Sequence, residues 1–431
     1  MSAAARTADR PPLSSQVAWT ATGNVVYAAL QWGMLIALTK LVRPEGVGKF
    51  GLGLAISVPV LMFTNLQLRS IQATRASDRF GFRDYLGLRV VSTGLGVLCI
   101  GLAVAAIGYP IPTSLTVLAV SLAKGIEAIS DTTYGHLQRY ERMDRIAISM
   151  SLKGMLSFLM LAGAIALTRS VLFGALGMGL GSLIILLAYD LPQAGRTSLQ
   201  SGEATSLAEA VRPRFARDSG VSIARLGLPL GIASLLLALA ANIPRYFLER
   251  LHGEAALGYF AALSLPTAAF SIIVSAFGQA ASPRLAEYFR NDRSAFWRTV
   301  LALCAVQILV ASGATAAVAL LGPRLLQILY RAEYARYFDE FLILLATGAV
   351  WSLASVLGFS VTAARRLTGQ APVSFGVCIA ALVLSYALIP GQGLRGACLV
   401  SLVSGGASLI SYLGLLVWRP VRLEAPSAVS G

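Results

Sequence analysis

Three ionisable side chains follow one another inside an otherwise apolar stretch near the first third of the chain. Lys124, Glu127 and Asp131 stand at i, i+3 and i+7, which places them on one face of an α-helix. Lys153 lies in the next apolar stretch and would reach the depth of Glu127 if the two stretches form antiparallel helices, which makes an ion pair between them reasonable. Two kinds of chemistry fit this group. The charges can neutralise one another structurally, or an amine, foremost Lys124 as the deepest, can bind a phosphate.

Uncharged polar side chains form stripes along two other apolar stretches. Steps of three and four residues join Gln16, Thr20, Asn24, Tyr27 and Gln31 in the first, and Ser264, Thr267, Ser271, Ser275 and Gln279 in the eighth. Such stripes are unfavourable against hydrocarbon, so they predict either a wet cavity or a helix contact. Arg225, at the start of the seventh stretch, could bind an anion or extend to an interface. The candidate substrate-binding residues are Asn24, Tyr27, Gln31, Lys124, Lys153, Arg225, Ser271, Ser275 and Gln279.

The motifs of common catalytic and metal sites are absent from the sequence. None of the four lysines is followed by Ser or Thr, so there is no Walker A loop, and neither GxSxG nor HExxH occurs. His136 and His252 fall in predicted connections, where a solvated histidine is the ordinary interpretation, although acidic neighbours make an acid–base role for His136 conceivable. The four cysteines lie in apolar runs without CxxC spacing. We therefore predict no enzyme active site, no metal and no cofactor.

The composition points to a membrane protein. Hydrophobic residues make up 56% of the 431 residues, charged residues only 13%, and the mean hydropathy is +0.71. A soluble core could not bury this much apolar surface, whereas a bilayer solvates it. The net charge is +15. In a membrane protein such a basic excess usually lies in the cytoplasmic loops, and it also favours contact with anionic lipids or an anionic substrate. Nucleic acid is not predicted as a partner.

Twelve apolar stretches of spanning length predict an all-α polytopic protein with about twelve transmembrane helices. A polar connection at residues 191–221 divides them into two sets of six, so we predict an N-terminal six-helix bundle over residues 1–200 and a C-terminal one over residues 201–431. The even-numbered connections and the two ends hold 23 of the 35 basic residues, Arg69 and Arg89 among them. By the positive-inside rule both termini are cytoplasmic. The stretches are residues 17–41, 47–66, 88–109, 113–134, 146–167, 171–189, 222–243, 256–280, 299–321, 338–362, 373–389 and 394–417.

Four segments resemble a known family of membrane carriers, the Wzx-type flippases for oligosaccharides and polysaccharides, in the superfamily that also contains the MATE exporters. They are residues 37–50 (ALTKLVRPEGVGKF), 82–89 (FRDYLGLR), 124–153, and 242–260 (NIPRYFLERLHGEAALGYF). The resemblance extends over nearly the whole chain. It departs from the family in one place, because an acidic residue often follows the Asn of the last segment, where this chain has Ile243-Pro244-Arg245.

The resemblance implies two six-helix bundles in a MATE-like V, with a cavity lined mainly by the first, second, seventh and eighth helices. It implies translocation of an undecaprenyl-pyrophosphate-linked oligosaccharide across the bacterial cytoplasmic membrane by alternating access, during surface polysaccharide biosynthesis. Amides and hydroxyls suit the sugars, and Lys124, Lys153 or Arg225 suit the phosphates. The implied partners are the lipid-linked substrate, membrane lipid, and a polysaccharide polymerase and glycosyltransferases.

Two alternatives remain open from the sequence. A MATE-like cation-coupled exporter of drugs or metabolites would need a deep carboxylate, for which Glu127 and Asp131 are the candidates. A membrane-embedded glycan polymerase or ligase would need large outer connections to hold two substrates. The longest such connection, near residues 322–337, is short for that purpose, so the carrier is the favoured function.

Overall fold

The computed structural model describes residues 13–73, 80–267, 270, 285, 287–364 and 370–417. Throughout these ranges the chain is helical or in short turns, without β-strands. A π-helical segment, Leu186–Asp190, joins α7 to α8, and short 3-10 helices span Leu265–Thr267 and Ala332–Tyr337. The α-helices are α1 (Leu13–Leu41), α2 (Pro44–Asn65), α3 (Leu68–Ala73), α4 (Phe82–Ile107), α5 (Ile111–Arg139), α6 (Met143–Thr168), α7 (Val171–Ile185), α8 (Leu191–Ser201), α9 (Leu207–Val211), α10 (Arg217–Ser264), α11 (Arg293–Leu321), α12 (Pro323–Leu329), α13 (Phe338–Ala363) and α14 (Gln370–Val417).

Ten helical stretches of the described chain are long and apolar enough to cross a membrane. Two of them, Arg217–Thr267 and Gln370–Val417, have 51 and 48 residues, more than twice the ~20 residues of one crossing. Each is interrupted by a glycine with positive φ, Gly253 (83°) in α10 and Gly393 (53°) in α14, a conformation that glycine adopts without steric cost. Each is therefore divided into two arms, here called its first and second arm. Both arms of α14 are long enough to cross a membrane, whereas the described part of the second arm of α10 is residues 254–267. This division is consistent with the prediction of about twelve transmembrane helices.

The exterior of the spans is covered by large apolar side chains. Leu102 is 63% exposed, Leu309 74%, and Leu167 and Leu320 both 88%. Exposure of this kind on helix after helix is unfavourable in water and favourable in hydrocarbon, where the backbone groups are already paired within the helices. The fold is thus solvated by lipid around its sides.

The chain packs as a first half, α1 to α8, and a second half, α10 to α14. In the first half α1 packs on α6, α6 on α7, and α5 on α2, α4 and α7; in the second, α14 packs on α10 and α13, and α13 on α11. The predicted linker, residues 191–221, contains α8 and α9, and Arg83 at the start of α4 forms an ion pair with Glu209 of α9 at 2.9 Å. The boundary predicted at residue 200 lies at the end of α8 and remains a prediction.

The halves meet where α2 packs against both arms of α10. We call distal the end of the molecule that holds Gly253 and the turn at residues 108–110, and proximal the end that holds Leu13. At the distal end the two backbones are so close that a Cβ on Gly48 would collide with the carbonyl oxygen of Glu254. The Glu254 carboxylate accepts a hydrogen bond from Thr113 at 2.5 Å and lies 3.7 Å from Lys49. In this structure the distal ends of the halves are therefore joined.

A tyrosine in the turn between α4 and α5, beyond the end of the α4 span at Ile107, strengthens this junction. The Tyr109 hydroxyl donates to Glu249 Oε2 at 3.2 Å, linking the α4–α5 turn to the first arm of α10. Burial, together with the nearby Glu249 carboxylate, raises the pKa of Tyr109 to about 12, so the phenol keeps its proton as a donor at neutral pH.

Candidate functional site

A cavity of about 340 Å³ lies within the first half, between α1, α2, α3, α5 and α6. We call it the first-half cavity. Its apolar walls come from residues such as Val58, Leu61 and Met150, as expected for a helix bundle. Its ionisable and amide side chains come from segments that the sequence predicts as spans, except Arg69, which the sequence places in a connection. They are Tyr27, Asn65, Arg69, Lys124, Glu127, Asp131, Tyr134 and Lys153.

Lys124 and Glu127 form an ion pair that lines this cavity. Lys124 Nζ donates to Glu127 Oε2 at 2.8 Å, and the Tyr27 hydroxyl donates to the same oxygen at 3.1 Å. The side chains of Lys124 and Glu127 retain 19% and 17% of their exposure, so both are reachable from the cavity. The sequence left open whether these charges neutralise one another or whether the amine binds a phosphate. The structure shows the ion pair, and the position of Lys124 in the cavity wall also allows contact with a ligand.

Lys153 has a different partner from the one expected. The sequence suggests a pair with Glu127, whereas Lys153 Nζ donates to Asp190 Oδ2 at 2.7 Å and to the Tyr134 hydroxyl at 2.9 Å. Ser149 also donates to Asp190. Lys153 is 3% exposed and Asp190 0%, so this pair is closed off from solvent. The expectation of a Glu127 partner was wrong because Glu127 is already occupied by Lys124 and Tyr27.

Asp190 is a residue that the sequence analysis missed. It ends the π-helical segment Leu186–Asp190, inside a helical run that continues from Val171 to Ser201. A π-turn adds a residue to the helix and so changes the direction of the side chains that follow it. The predicted sixth span ends at residue 189. The only sign in the sequence that Asp190 belongs to the polar network was therefore the position of its carboxylate immediately after that span. A continuous helix through this point places Asp190 at the depth of Lys153.

Two arginines assigned to a connection lie instead in helices beside the cavity. Arg69, in α3, donates to Asp131 Oδ1 at 3.1 Å and to Gln138 Oε1 at 3.1 Å. Arg89, in α4, is fully buried, donates to Thr132 Oγ1 at 2.8 Å, and also donates to Asn65. Its Nη1 is buried without a hydrogen-bond partner within the described part of the chain.

The charges around the first-half cavity do not cancel. Four cations, Arg69, Arg89, Lys124 and Lys153, face three carboxylates, those of Glu127, Asp131 and Asp190. Each carboxylate has a cation within 4 Å, and Arg89 is the cation left without one among the described residues. The network therefore carries a net positive charge at membrane depth, where the low dielectric makes it attractive to an anion.

The remaining predicted site residues are not gathered into this cavity. Asn24 is exposed on α1, and Arg225 is exposed near the start of α10. Gln31 is half-buried, and its Nε2 has no hydrogen-bond partner in the described structure. Ser271, Ser275 and Gln279 lie outside the described residues. A substrate-binding role for all these residues stays a prediction.

A second basic surface lies at the distal end. A cavity of about 660 Å³ there has Arg43, Lys49, Arg169 and Arg331 in its walls. Two of these side chains are engaged between the halves, Lys49 with Glu254 and Arg331 with the Lys40 carbonyl at 3.2 Å. These contacts indicate a role in the distal junction.

The chain is similar in sequence to known proteins. The sequence profile of the polysaccharide biosynthesis protein family matches residues 13–289. The chain belongs to this family. The family expected from the four sequence segments is thereby confirmed. A relative from Staphylococcus aureus, described as capsular polysaccharide biosynthesis protein CapF, is 25% identical over 391 residues, which are 90% of this chain and 95% of CapF.

Solved structures show the same fold. A multidrug resistance MATE family transporter in an inward-facing conformation superposes with a TM-score of 0.65 at 15% identity, covering 90% of this chain and 94% of the other. The lipid II flippase MurJ, in an inward closed conformation, superposes with a TM-score of 0.68 at 12% identity, covering 91% and 86%. The MATE-like fold predicted for this member of the polysaccharide biosynthesis protein family is confirmed.

Proposed function

We propose that this protein moves an undecaprenyl-pyrophosphate-linked oligosaccharide across the bacterial cytoplasmic membrane by alternating access. The observation that carries the proposal is the net positive first-half cavity, which offers cations together with phenol and amide groups at membrane depth. A pyrophosphate needs charge-assisted donors, and sugar hydroxyls need polar partners, in a place otherwise filled by hydrocarbon. The membership in a polysaccharide biosynthesis family supports the sugar as cargo.

Within the cavity, Lys124 is the residue that we assign to the phosphates. Its amine can leave Glu127 for a phosphate because Tyr27 still donates to that carboxylate, so Glu127 keeps a hydrogen bond. Arg69 provides a second, half-buried cation in the same cavity. Lys153 is assigned a structural role, since Asp190 and Tyr134 surround its amine and it is almost completely buried.

Alternating access fits the distal junction between the halves. Close backbone contact at Gly48 and the contacts of Glu254 join the distal ends in this structure. These are polar contacts and small-residue packing, which can separate and reform without exposing a large apolar core. We propose that their opening releases the glycan on the distal side, that this side is extracytoplasmic, and that both termini are cytoplasmic. A polymerase and glycosyltransferases would then act on either side of the transport step.

The cation-coupled exporter remains the alternative. Coupling to a cation generally needs a carboxylate that can bind it, and in the described first-half cavity Glu127 and Asp131 are already paired with Lys124 and Arg69. This arrangement favours an anionic cargo. Cation-driven efflux of a drug from loaded vesicles, unaffected by lipid-linked sugars, would support the alternative instead.

The proposal is tested by variants of Lys124 in proteoliposomes. The measurement is the rate at which a fluorescent undecaprenyl-pyrophosphate-linked oligosaccharide exchanges between leaflets. Lys124→Gln should lower the rate by about tenfold or more, because one charge-assisted contact to phosphate is worth about 1.5–3 kcal/mol. Lys124→Arg, which keeps the charge, should retain most of it. Lys40→Gln, at an exposed lysine of the distal end of α1, is the control and should exchange normally. Normal exchange by a folded Lys124→Gln protein would refute the assignment.

A further inference from the structure

A third cavity, of about 240 Å³, lies inside the second half between the two arms of α10, α13 and the second arm of α14. We call it the second-half cavity. Ala241 and Ser355, which line it, are both exposed, so the cavity opens to the surface. The sequence placed Arg245 in a distal connection, but the first arm of α10 continues to Gly253. Arg245 is therefore about two helical turns inside the helix and lines the cavity.

Arg245 brings a positive charge that is not balanced within the described structure. Its Nη1 donates to Asn242 Oδ1 at 2.9 Å, and its guanidinium lies 5.9 Å from the centroid of the Phe260 ring. Its Nε is shielded from solvent and has no hydrogen-bond partner among the described residues, and no described carboxylate forms an ion pair with it. A shielded cation with an idle donor is costly unless an anion joins it.

The other polar groups of the cavity are mostly hydroxyls that already donate their protons to backbone carbonyls. Ser264, Thr347, Ser355 and Ser401 each donate to a carbonyl of their own helix at 2.8–3.0 Å. Their oxygens keep lone pairs that can accept hydrogen bonds. Ser404 Oγ is buried without a partner in the described chain and can donate or accept.

This combination of groups selects among anions. Inorganic phosphate offers mainly acceptors and few P–OH donors near neutral pH, and it would meet a cavity whose hydroxyls are also placed mainly as acceptors. A carboxylated sugar offers both kinds of group, a carboxylate for Arg245 and ring hydroxyls that donate to the serine and threonine oxygens. Trp351 adds an aromatic surface in the same cavity, with its Nε1 fixed to the Ser401 carbonyl at 3.2 Å. Indole rings supply large apolar contact area, which suits the C–H face of a sugar.

We propose that the second-half cavity binds a carboxylated sugar, a hexuronate residue of the translocated glycan, through Arg245. Its use in transport rests on the proposed function, whereas binding of the free sugar does not. The cavity would hold an acidic sugar in the second half while the first-half cavity holds the phosphates.

Binding is tested on the purified full chain in detergent, by saturation-transfer-difference NMR titration with sodium glucuronate, glucose and sodium phosphate. Glucuronate should bind more tightly than glucose, and phosphate should not displace it. Arg245→Gln should weaken glucuronate binding by about tenfold. Ser404→Ala, a smaller change, should weaken it by about threefold. Arg250→Gln, an exposed arginine on the same arm, is the matched control and should bind as the unaltered protein does. Displacement by phosphate, or unchanged binding in both cavity variants, would overturn the proposal.

A transport experiment separates this proposal from the one on function. Leaflet exchange is measured for two undecaprenyl-pyrophosphate-linked disaccharides, one ending in glucuronate and the other in glucose. Arg245→Gln should slow the first about tenfold and leave the second unchanged. If the unaltered protein moves neither, the proposed function fails, while the glucuronate titration still decides the binding site. If it moves both and Arg245→Gln slows both equally, the hexuronate assignment fails and the proposed function stands.

Discussion

Replacing Asp190 by asparagine leaves the Lys153 ammonium without a counter-charge in a site closed to solvent. At a separation of 2.7 Å and an effective dielectric constant of 20, the attraction between the two charges is about 6 kcal/mol. Much of it is offset by the cost of removing both charges from water, and loss of one partner from such a pair typically costs about 3–5 kcal/mol. We expect Asp190→Asn to lower the free energy of unfolding by that amount, and Lys153→Met to lower it similarly.

The double variant distinguishes a structural role from a transport role. In Lys153→Met/Asp190→Leu neither charge of this buried pair remains, so stability should return to within about 1–2 kcal/mol of the unaltered protein. Since Lys153 is enclosed by Asp190 and Tyr134, this variant should also exchange lipid-linked oligosaccharide within about threefold of the normal rate. The half-exposed pair Arg142–Asp144 provides the control, and Asp144→Asn should cost less than about 1 kcal/mol.

The assay is reversible unfolding by SDS in mixed micelles, followed by circular dichroism, with leaflet exchange measured on the same preparations. An Asp190→Asn protein as stable as the unaltered one would refute the enclosed ion pair. A double variant that is stable but fails to exchange substrate would instead place Lys153 in the path of the phosphates.

Two further predictions concern the junction and the orientation. Gly48→Val should push the distal ends apart, because its Cβ would meet the Glu254 backbone. Spin-label distances across the junction should lengthen, and leaflet exchange should fall about tenfold. Gly94→Val, where the surroundings are open, should change neither the distances nor the exchange rate. Unchanged distances in Gly48→Val would contradict the close packing described here. After replacement of the four natural cysteines, Ser206→Cys introduces a single thiol in the connection between the halves. This thiol should react with an impermeant maleimide only in inside-out vesicles. Labelling in right-side-out cells would contradict the proposed orientation.

The fold could be read largely from the sequence because lipid exposure makes the apolar stretches long and continuous. Even the two helices that run on through Gly253 and Gly393 correspond to pairs of predicted spans. Harder to predict were the places where a helix extends beyond its apolar stretch. Arg245 lies in such an extension, since a helix with satisfied backbone groups can carry an arginine whose side chain finds a hydrogen-bond partner inside the bundle.

The sequence predicted four members of the polar network, Lys124, Glu127, Asp131 and Lys153. It missed Asp190 and did not predict the partner of Lys153. The i, i+3 spacing of Lys124 and Glu127 specifies a contact on one helix, which the structure shows. The partner of Lys153 depends on a π-turn in another helix, and hydropathy carries no signal for such a turn. Asn24 and Arg225 illustrate the same limit, because a stripe or a span boundary does not specify which neighbour a side chain will face.

The leaflet exchange rate of an undecaprenyl-pyrophosphate-linked oligosaccharide in vesicles that contain only this protein and lipid decides whether the chain carries such a cargo. We expect exchange well above that of protein-free vesicles, reduced in Lys124→Gln, while a cationic drug such as ethidium is not exported along a proton or sodium gradient. Exchange no faster than in protein-free vesicles, together with gradient-driven ethidium export, would contradict the account.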